Sequence, residues 1–167
     1  QHKPVVTVSH DYGSGGREIA RVLADALGVP CYDQQLVDAI AASSGIDAEL
    51  LIRLDEQAQM HWTQWLHGFK SLHRLEQAQY YRHLVNLCLN ILHSGGVIVG
   101  RGAHIILANH PVFRLRVVGS LEHCAARIAN REHIEFVLAK EKANQANLAK
   151  QQFIWDYFQQ NIDNPRL

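Results

Sequence analysis

Cysteine is scarce in this chain: its 167 residues contain three, Cys31, Cys88 and Cys124, far apart and odd in number. No C-x-x-C pair occurs, which argues against a disulfide framework and fits packed thiols in a reduced, cytosolic setting. Charge of either sign is not in excess, since Lys+Arg and Asp+Glu stand at 16 each. There is thus no global basic field to draw in nucleic acid or a membrane surface. No apolar run approaches the ~20 residues of a membrane span, and the first residues lack a charged-then-apolar signal pattern. Internal repeats and linkers are absent as well. These absences lead to the expectation of one soluble, cytoplasmic domain, long enough to bury a core without disulfide or metal staples.

Against that plain background one stretch stands out. Tyr12-Gly13-Ser14-Gly15-Gly16-Arg17-Glu18 follows directly on the apolar run Val5-Val6-Thr7-Val8. A hydrophobic strand that breaks into a glycine-rich turn and opens a helix is built to hold phosphate: backbone N–H groups converge and the helix dipole adds positive potential. The consensus form G-x-x-x-x-G-K-[ST] is not met. With Gly15 on its last glycine, Gly16 falls where the lysine belongs, Glu18 where the hydroxyl belongs, and His10 on the first glycine. The backbone cradle is present in outline and its usual charged side chain is missing.

Strands and helices alternate along the chain. Val5 to Ser9 reads as a buried strand, and Ile19, Val22, Leu23, Ala26 and Leu27 mark one face of a helix that Gly28 ends. Val29 to Tyr32 reads as a second strand leading to Asp33, followed by short helices over 34–42 and 46–56 split around Gly45. Met60 to His73 is ambiguous, with Trp62, Trp65 and Phe69 at helical spacing among polar groups. Tyr80, Leu84, Leu87, Cys88 and Ile91 predict an amphipathic helix stopping at Ser94-Gly95-Gly96. Val97 to Gly100 and Phe113 to Val118 read as the third and fourth strands. A helix capped by Ser120 runs to about Arg131, and a long polar one from Glu135 to about Gln159. This alternation implies an α/β fold, a parallel sheet with helices on both faces. Ligands of such sheets bind beyond the carboxyl ends of the strands, where the glycine loop, Asp33 and Arg101 all fall.

Each candidate residue has a bland alternative. The segment from Gly13 to Glu18 is a phosphate cradle or a tight turn. Arg17 either supplies a cation or is a solvated first-turn residue. Arg101, between Gly100 and Gly102, suits bidentate recognition of a phosphate or carboxylate, or serves a structural ion pair. Asp33 meets a ribose or base, or caps a helix. Arg127 and Arg131 lie four apart on one helix face; they neutralise transferred charge or form an exposed basic face beside Glu132. Eleven histidines include no H-x-x-x-H pair and no H-E-x-x-H, so scattered surface histidines rather than a metal site are expected. The aromatics Trp62, Trp65 and Phe69 stack on a base or form a packing face.

Taken together, the segments Ser9 to Ala20, Pro30-Cys31-Tyr32-Asp33 and Val97 to Ala103 resemble the cytidylate kinase-like family, a branch of the P-loop nucleoside monophosphate (NMP) kinases. The resemblance runs from residue 5 to the end, and a glycine loop without its lysine is typical of that branch. It implies a three-layer P-loop NMP-kinase-like fold with Mg·ATP (ATP and Mg2+) as donor and a pyrimidine monophosphate as acceptor. It further implies a core of about 3–39 and 94–167, an inserted helical NMP-binding segment of about 40–93, and a lid of about 127–140. Gly13, Ser14, Gly15, Gly16 and Arg17 would hold donor phosphates. Asp33 and Arg101 would face the acceptor, and Arg127 and Arg131 would begin the lid and join Arg17 in catalysis.

Three departures accompany the resemblance. Cytidylate kinases carry an aspartate after the strand-three arginine, where this chain has Gly102. Their last long helix holds an aspartate and arginines, whereas Asn144 to Gln152 has Lys150 as its only charge. The family's fifth strand and last helix have no counterpart before Leu167, and the lid near His133 to Phe136 is short. Two functions are therefore expected: an ATP-dependent NMP kinase, or a nucleotide-binding regulatory or scaffold protein with weak or no transfer. Its partners would be nucleotides, and the stretch from Trp62 to Phe69 is a candidate homodimer contact.

Overall fold

The computed structural model describes residues 3–42 and 74–164. The helix expected over 46–56, the aromatic stretch from Trp62 to Phe69 and most of the segment of about 40–93 lie outside them. Strand β1 (Val5–His10) is buried along its whole length, as a run of β-branched residues at the centre of a parallel sheet should be. The remaining strands are β2 (Cys31–Tyr32), β3 (Gly96–Val99) and β4 (Phe113–Val117). They form one four-stranded sheet in the order β2-β3-β1-β4, every pair parallel. The register sets Val8 opposite Val99 and His10 opposite Val117, so β1 and β4 end together and β3 stops two residues earlier.

Side chains alternate between two faces. Val6, Val8, Val97 and Val99 pack on helix α1 (Gly16–Leu27), while Val5 and Ile98 face the opposite layer. That layer holds α2 (Gln34–Ala42), α3 (Arg74–Ser94) and the single turn α4 (Ala103–Ile106). Its core is Val37, Leu84, Leu87, Cys88, Ile91 and Leu107. Helices thus cover both faces, and the α/β three-layer arrangement expected from the sequence is the one observed. The turn α4 was not foreseen, being too short to show a period. Helix α5 (Leu121–Glu132) starts at Ser120, whose Oγ accepts from His123 N at 3.2 Å. Helix α6 (Phe136–Phe158) packs on α5 through Ala139 and Ala143 against Ala125 and Ile128, then continues across the carboxyl edge of the sheet. Among the described residues no helix is long and apolar enough to cross a membrane. Burial raises the Cys88 thiol to about 12 and the Cys31 thiol to about 11, as packed, unpaired thiols should behave.

The helical stripe on α1 needs correction. Ile19, Val22, Ala26 and Leu27 are exposed and Leu23 is half-buried; the buried line is Gly16, Ala20 and Ala24. Small residues let α1 approach the sheet closely, and hydrophobicity alone ranks them below the larger residues beside them. The N-terminal contact is the tightest: a Cβ on Gly16 would overlap the His10 side chain. His10 and Gly16 thus exchange the sizes that the consensus loop assigns to these positions, filling from the strand the space that a side chain at 16 would need.

Two tests follow from this packing. Gly→Ala inside a helix ordinarily gains about 1 kcal/mol. Gly16→Ala should instead lose roughly 1–3 kcal/mol by overpacking, and the loss should shrink in a His10→Gly background; urea unfolding of the four chains in that cycle checks the coupling. Burial holds His10 and His104 at about 4, so both are neutral at pH 7. The unfolded chain binds more protons than the folded one below the ordinary histidine value of ~6.5. Stability should fall as pH drops from there toward 4, and the urea midpoint of His104→Gln should fall less steeply.

Candidate functional site

The loop between β1 and α1 is pinned at both ends. Asp11 N donates to Val117 O at 3.0 Å, and Ser14 closes back on Asp11 O through its N at 3.2 Å and its Oγ at 2.8 Å. Gly13 and Gly15 take φ of 87° and 90°, which lets the chain fold over the start of α1. A Cβ at Gly13 would also meet Cys124 O at 2.8 Å. The amides of Gly13, Gly15, Gly16 and Arg17 have no acceptor among the described residues. Four donors of this kind, three of them successive from Gly15 to Arg17 at a helix N-terminus, form a concavity suited to phosphate oxygens.

Arginines from two helices stand around it. Arg127 reaches from α5 so that its Nε donates to Gly13 O at 3.0 Å, while its Nη2 lies 3.7 Å from Glu18. Arg131, one turn further on, donates to Glu132 at 2.8 Å and lies over the Tyr12 ring, 5.7 Å from its centre. Glu132 also binds Lys142, and these two hydrogen bonds hold its carboxyl down at about 2. Burial is the first cause that lowers His10 and Lys150, and Arg17, on the first turn of α1, adds to it at both. The loop, Arg17 and Arg127 are therefore one group in space, and Arg131 sits at its border.

Asp33 and Arg101 lie at the ends of the next two strands. Asp33 caps α2, its Oδ1 accepting from Leu36 N at 2.9 Å, and its other oxygen is 3.8 Å from Arg21. Arg101, in the left-handed region at φ 53°, grips Asp38 with both arms, Nε–Oδ1 at 2.6 Å and Nη2–Oδ2 at 2.5 Å. Tyr80 Oη donates to the same carboxylate at 2.6 Å, and the Phe153 ring lies 4.7 Å from the guanidinium carbon. The strain at Arg101 is held by this fork and the stacked ring together. Gly102 is covered by Phe158: a Cβ there would overlap that ring. Phe158 belongs to an aromatic set with Tyr80, Tyr81, Phe153 and Tyr157 that joins α3 to α6.

Sequence reasoning overlooked four contributors. Asp38 carries no motif and acts only through its position one turn into α2. Asn147 Oδ1 accepts from Tyr12 N at 2.8 Å, and Lys150 Nζ donates to His10 O at 2.8 Å. Arg116, from β4, donates to Asp11 Oδ1 at 2.9 Å. The spacing of Asn147 and Lys150, three apart on one face of α6, was the available signal. Burial is the first cause that lowers the Lys150 ammonium to about 8, with neighbouring Arg17 adding to it. Among the described residues, no three His, Cys, Asp or Glu side chains gather as a metal-ligand set.

The profile of the family described as cytidylate kinase-like matches residues 5–167. No curated protein matches the sequence significantly. Among solved structures, an uncharacterized protein from Eubacterium ventriosum superposes with a TM-score of 0.68 at 18% identity, over 98% of this chain and 83% of that one. TT1252 from Thermus thermophilus aligns with a TM-score of 0.45 at 22% identity, over 86% of this chain and 81% of its own. The Eubacterium structure supports the fold, and the family follows from a profile that spans nearly the whole sequence: the chain belongs to the cytidylate kinase-like family.

Proposed function

We propose that the chain binds Mg·ATP on the β1–α1 loop and passes its γ-phosphoryl to a nucleoside monophosphate, a pyrimidine one by family analogy. The observation that carries the reading is the set of four unclaimed amides at Gly13, Gly15, Gly16 and Arg17, with the Arg127 guanidinium above them. Mg2+ would come with the triphosphate and would supply neutralisation of its charge, alongside Arg17 and Arg127. Ser14 shapes the turn. Arg17 and Arg127 neutralise charge on the transferred group, and Arg131 follows when Glu132 releases it. Transfer of this kind needs positioning and charge compensation more than covalent help, so arginines can stand in for the missing lysine. By family analogy the segment of about 40–93 would bind the acceptor, Asp33 and Arg101 would face it, and the stretch of about 127–140 would act as lid. A cytoplasmic setting, with its reduced thiols, suits this role.

A second reading, nucleotide binding without transfer, has its own support. Arg101 is committed to Asp38 on both arms, and the Phe158 ring fills the space beside Gly102. In that case ATP binds and no acceptor is phosphorylated.

ADP release from Mg·ATP, measured by a coupled assay across CMP, dCMP, UMP, AMP, GMP and no acceptor, separates the two. Acceptor-dependent turnover is expected; ATP affinity with no turnover over any acceptor would establish the second reading. In an active chain, Arg17→Ala and Arg127→Ala should each lower kcat/KM by about 10²-fold or more, and unchanged rates in both would remove them from the mechanism. Arg101→Ala should show itself first as lost stability, of about 3 kcal/mol, because it strands the Asp38 carboxylate; thermal unfolding reads this directly.

A further inference from the structure

Gly16 stands where the consensus loop has its lysine, and the room for a side chain there is already taken. A Cβ on Gly16 would overlap Cβ and Cγ of His10 and lie 3.1 Å from its Cδ2. The imidazole, entering from the last residue of β1, thus occupies the start of the track along which a lysine at 16 would run toward the phosphates. The amides of Gly16 and Arg17 flank the same Cα, and both belong to the loop's unclaimed donors. An oxyanion held by these amides is brought up to the His10 ring.

The ring's own hydrogen bond sets what it can offer. His10 Nδ1 is 2.9 Å from Asp11 O, and a carbonyl only accepts, so the proton of the neutral imidazole sits on Nδ1. Nε2, next to Cδ2 on the edge turned from that bond, makes no hydrogen bond among the described residues. A second proton is opposed first by burial, then by Lys150 of α6 and Arg17 of α1. The Asp11 carbonyl and carboxylate favour it, and the balance leaves the imidazole at about 4. Arg101, His104 and Arg116 line the cavity of about 30 Å³ beside the ring and bring no carboxylate. A multiply charged anion against the ring supplies the negative charge that this surrounding lacks.

On the kinase reading, on which this inference rests, we propose that His10 takes the place of the P-loop lysine. Its Nε2 takes up a proton as the donor nucleotide binds, and the imidazolium donates to a phosphate oxygen held by the Gly16 and Arg17 amides. No bond of the nucleotide is made or broken in this step; one proton passes from the solvent to Nε2 and returns when the nucleotide leaves. The chain thereby exchanges a permanent cation for one that forms with the ligand. An unprotonated Nε2 sets a lone pair against the anion, so affinity for the triphosphate rises as pH falls.

Calorimetry of Mg·ATP binding to the full chain, in buffers of different ionisation enthalpy, counts the protons taken up. Uptake is expected between about 4 and the ordinary histidine value of ~6.5, with affinity falling as pH rises through the titration of the bound form. His10→Gln should lose the uptake and weaken Mg·ATP by about tenfold or more, the effect of one charge-assisted hydrogen bond; His104→Gln should keep both. The swap of His10→Gly with Gly16→Lys rebuilds the consensus pair. It should bind Mg·ATP more tightly than His10→Gly alone and without the pH dependence. In the unmutated chain, the ring 15N resonances of His10, assigned by their loss in His10→Gln, should move to imidazolium positions when Mg·ATP is added at about pH 6. Mg·ATP binding with no proton uptake, or with unmoved His10 resonances, overturns the role of His10 and spares the nucleotide reading. Absence of Mg·ATP binding overturns that reading, and the role of His10 with it.

Discussion

Strand β1 is buried between β3 and β4 over all six of its residues, and its register sets its end level with that of β4 and two residues beyond that of β3. That alignment is what allows a loop from β1, an arginine after β3 and a guanidinium from β4 to meet at one edge. The same burial dictates how the loop begins. His10, the last residue of the strand, packs into the ground that a side chain at 16 would need, so Gly16 is a packing requirement as much as a turn residue. The absent lysine is then part of an exchange of volume between strand and helix, and the loop's remaining capacity for anions rests on its amides.

Helix α6 supplies the other constraint. Its first half lies on α5 through alanines, and its second half crosses the edge to join α3 through stacked and tilted aromatic rings. Between those anchors it lowers Asn147 onto Tyr12 N and Lys150 onto His10 O. A helix fixed at both ends can hold a lysine in a place where burial weakens its charge. Surface ion pairs such as Lys140–Glu122, 3.1 Å apart, add little to this arrangement.

The Arg101–Asp38 fork has a different character. It joins the end of β3 to α2, gathers the Tyr80 hydroxyl, and is roofed by Phe153. Such a closed network fixes geometry strongly and resists rearrangement, because breaking it strands a carboxylate away from water. The arrangement makes the Arg101 side of the carboxyl edge its more rigid half, with the loop and its arginines the more open one.

Strand positions, the glycine loop, the Ser120 cap and the long last helix were legible in the sequence, since each rests on a local signal: a β-branched run, a glycine cluster, a hydroxyl before a helix. So was the parallel sheet, because alternation of strands and helices leaves few other ways to bury both sheet faces. The buried stripe of α1 was not legible, as close approach selects Gly16, Ala20 and Ala24 over larger neighbours, and only the packed sheet says how close the helix comes. Nor were Asp38, Arg116, Asn147 and Lys150, whose partners lie 63, 105, 135 and 140 positions away. The sequence by itself determined the elements and the loop. Tertiary structure decided which charges meet there, because ion pairing depends on distance in space and carries no trace in local spacing.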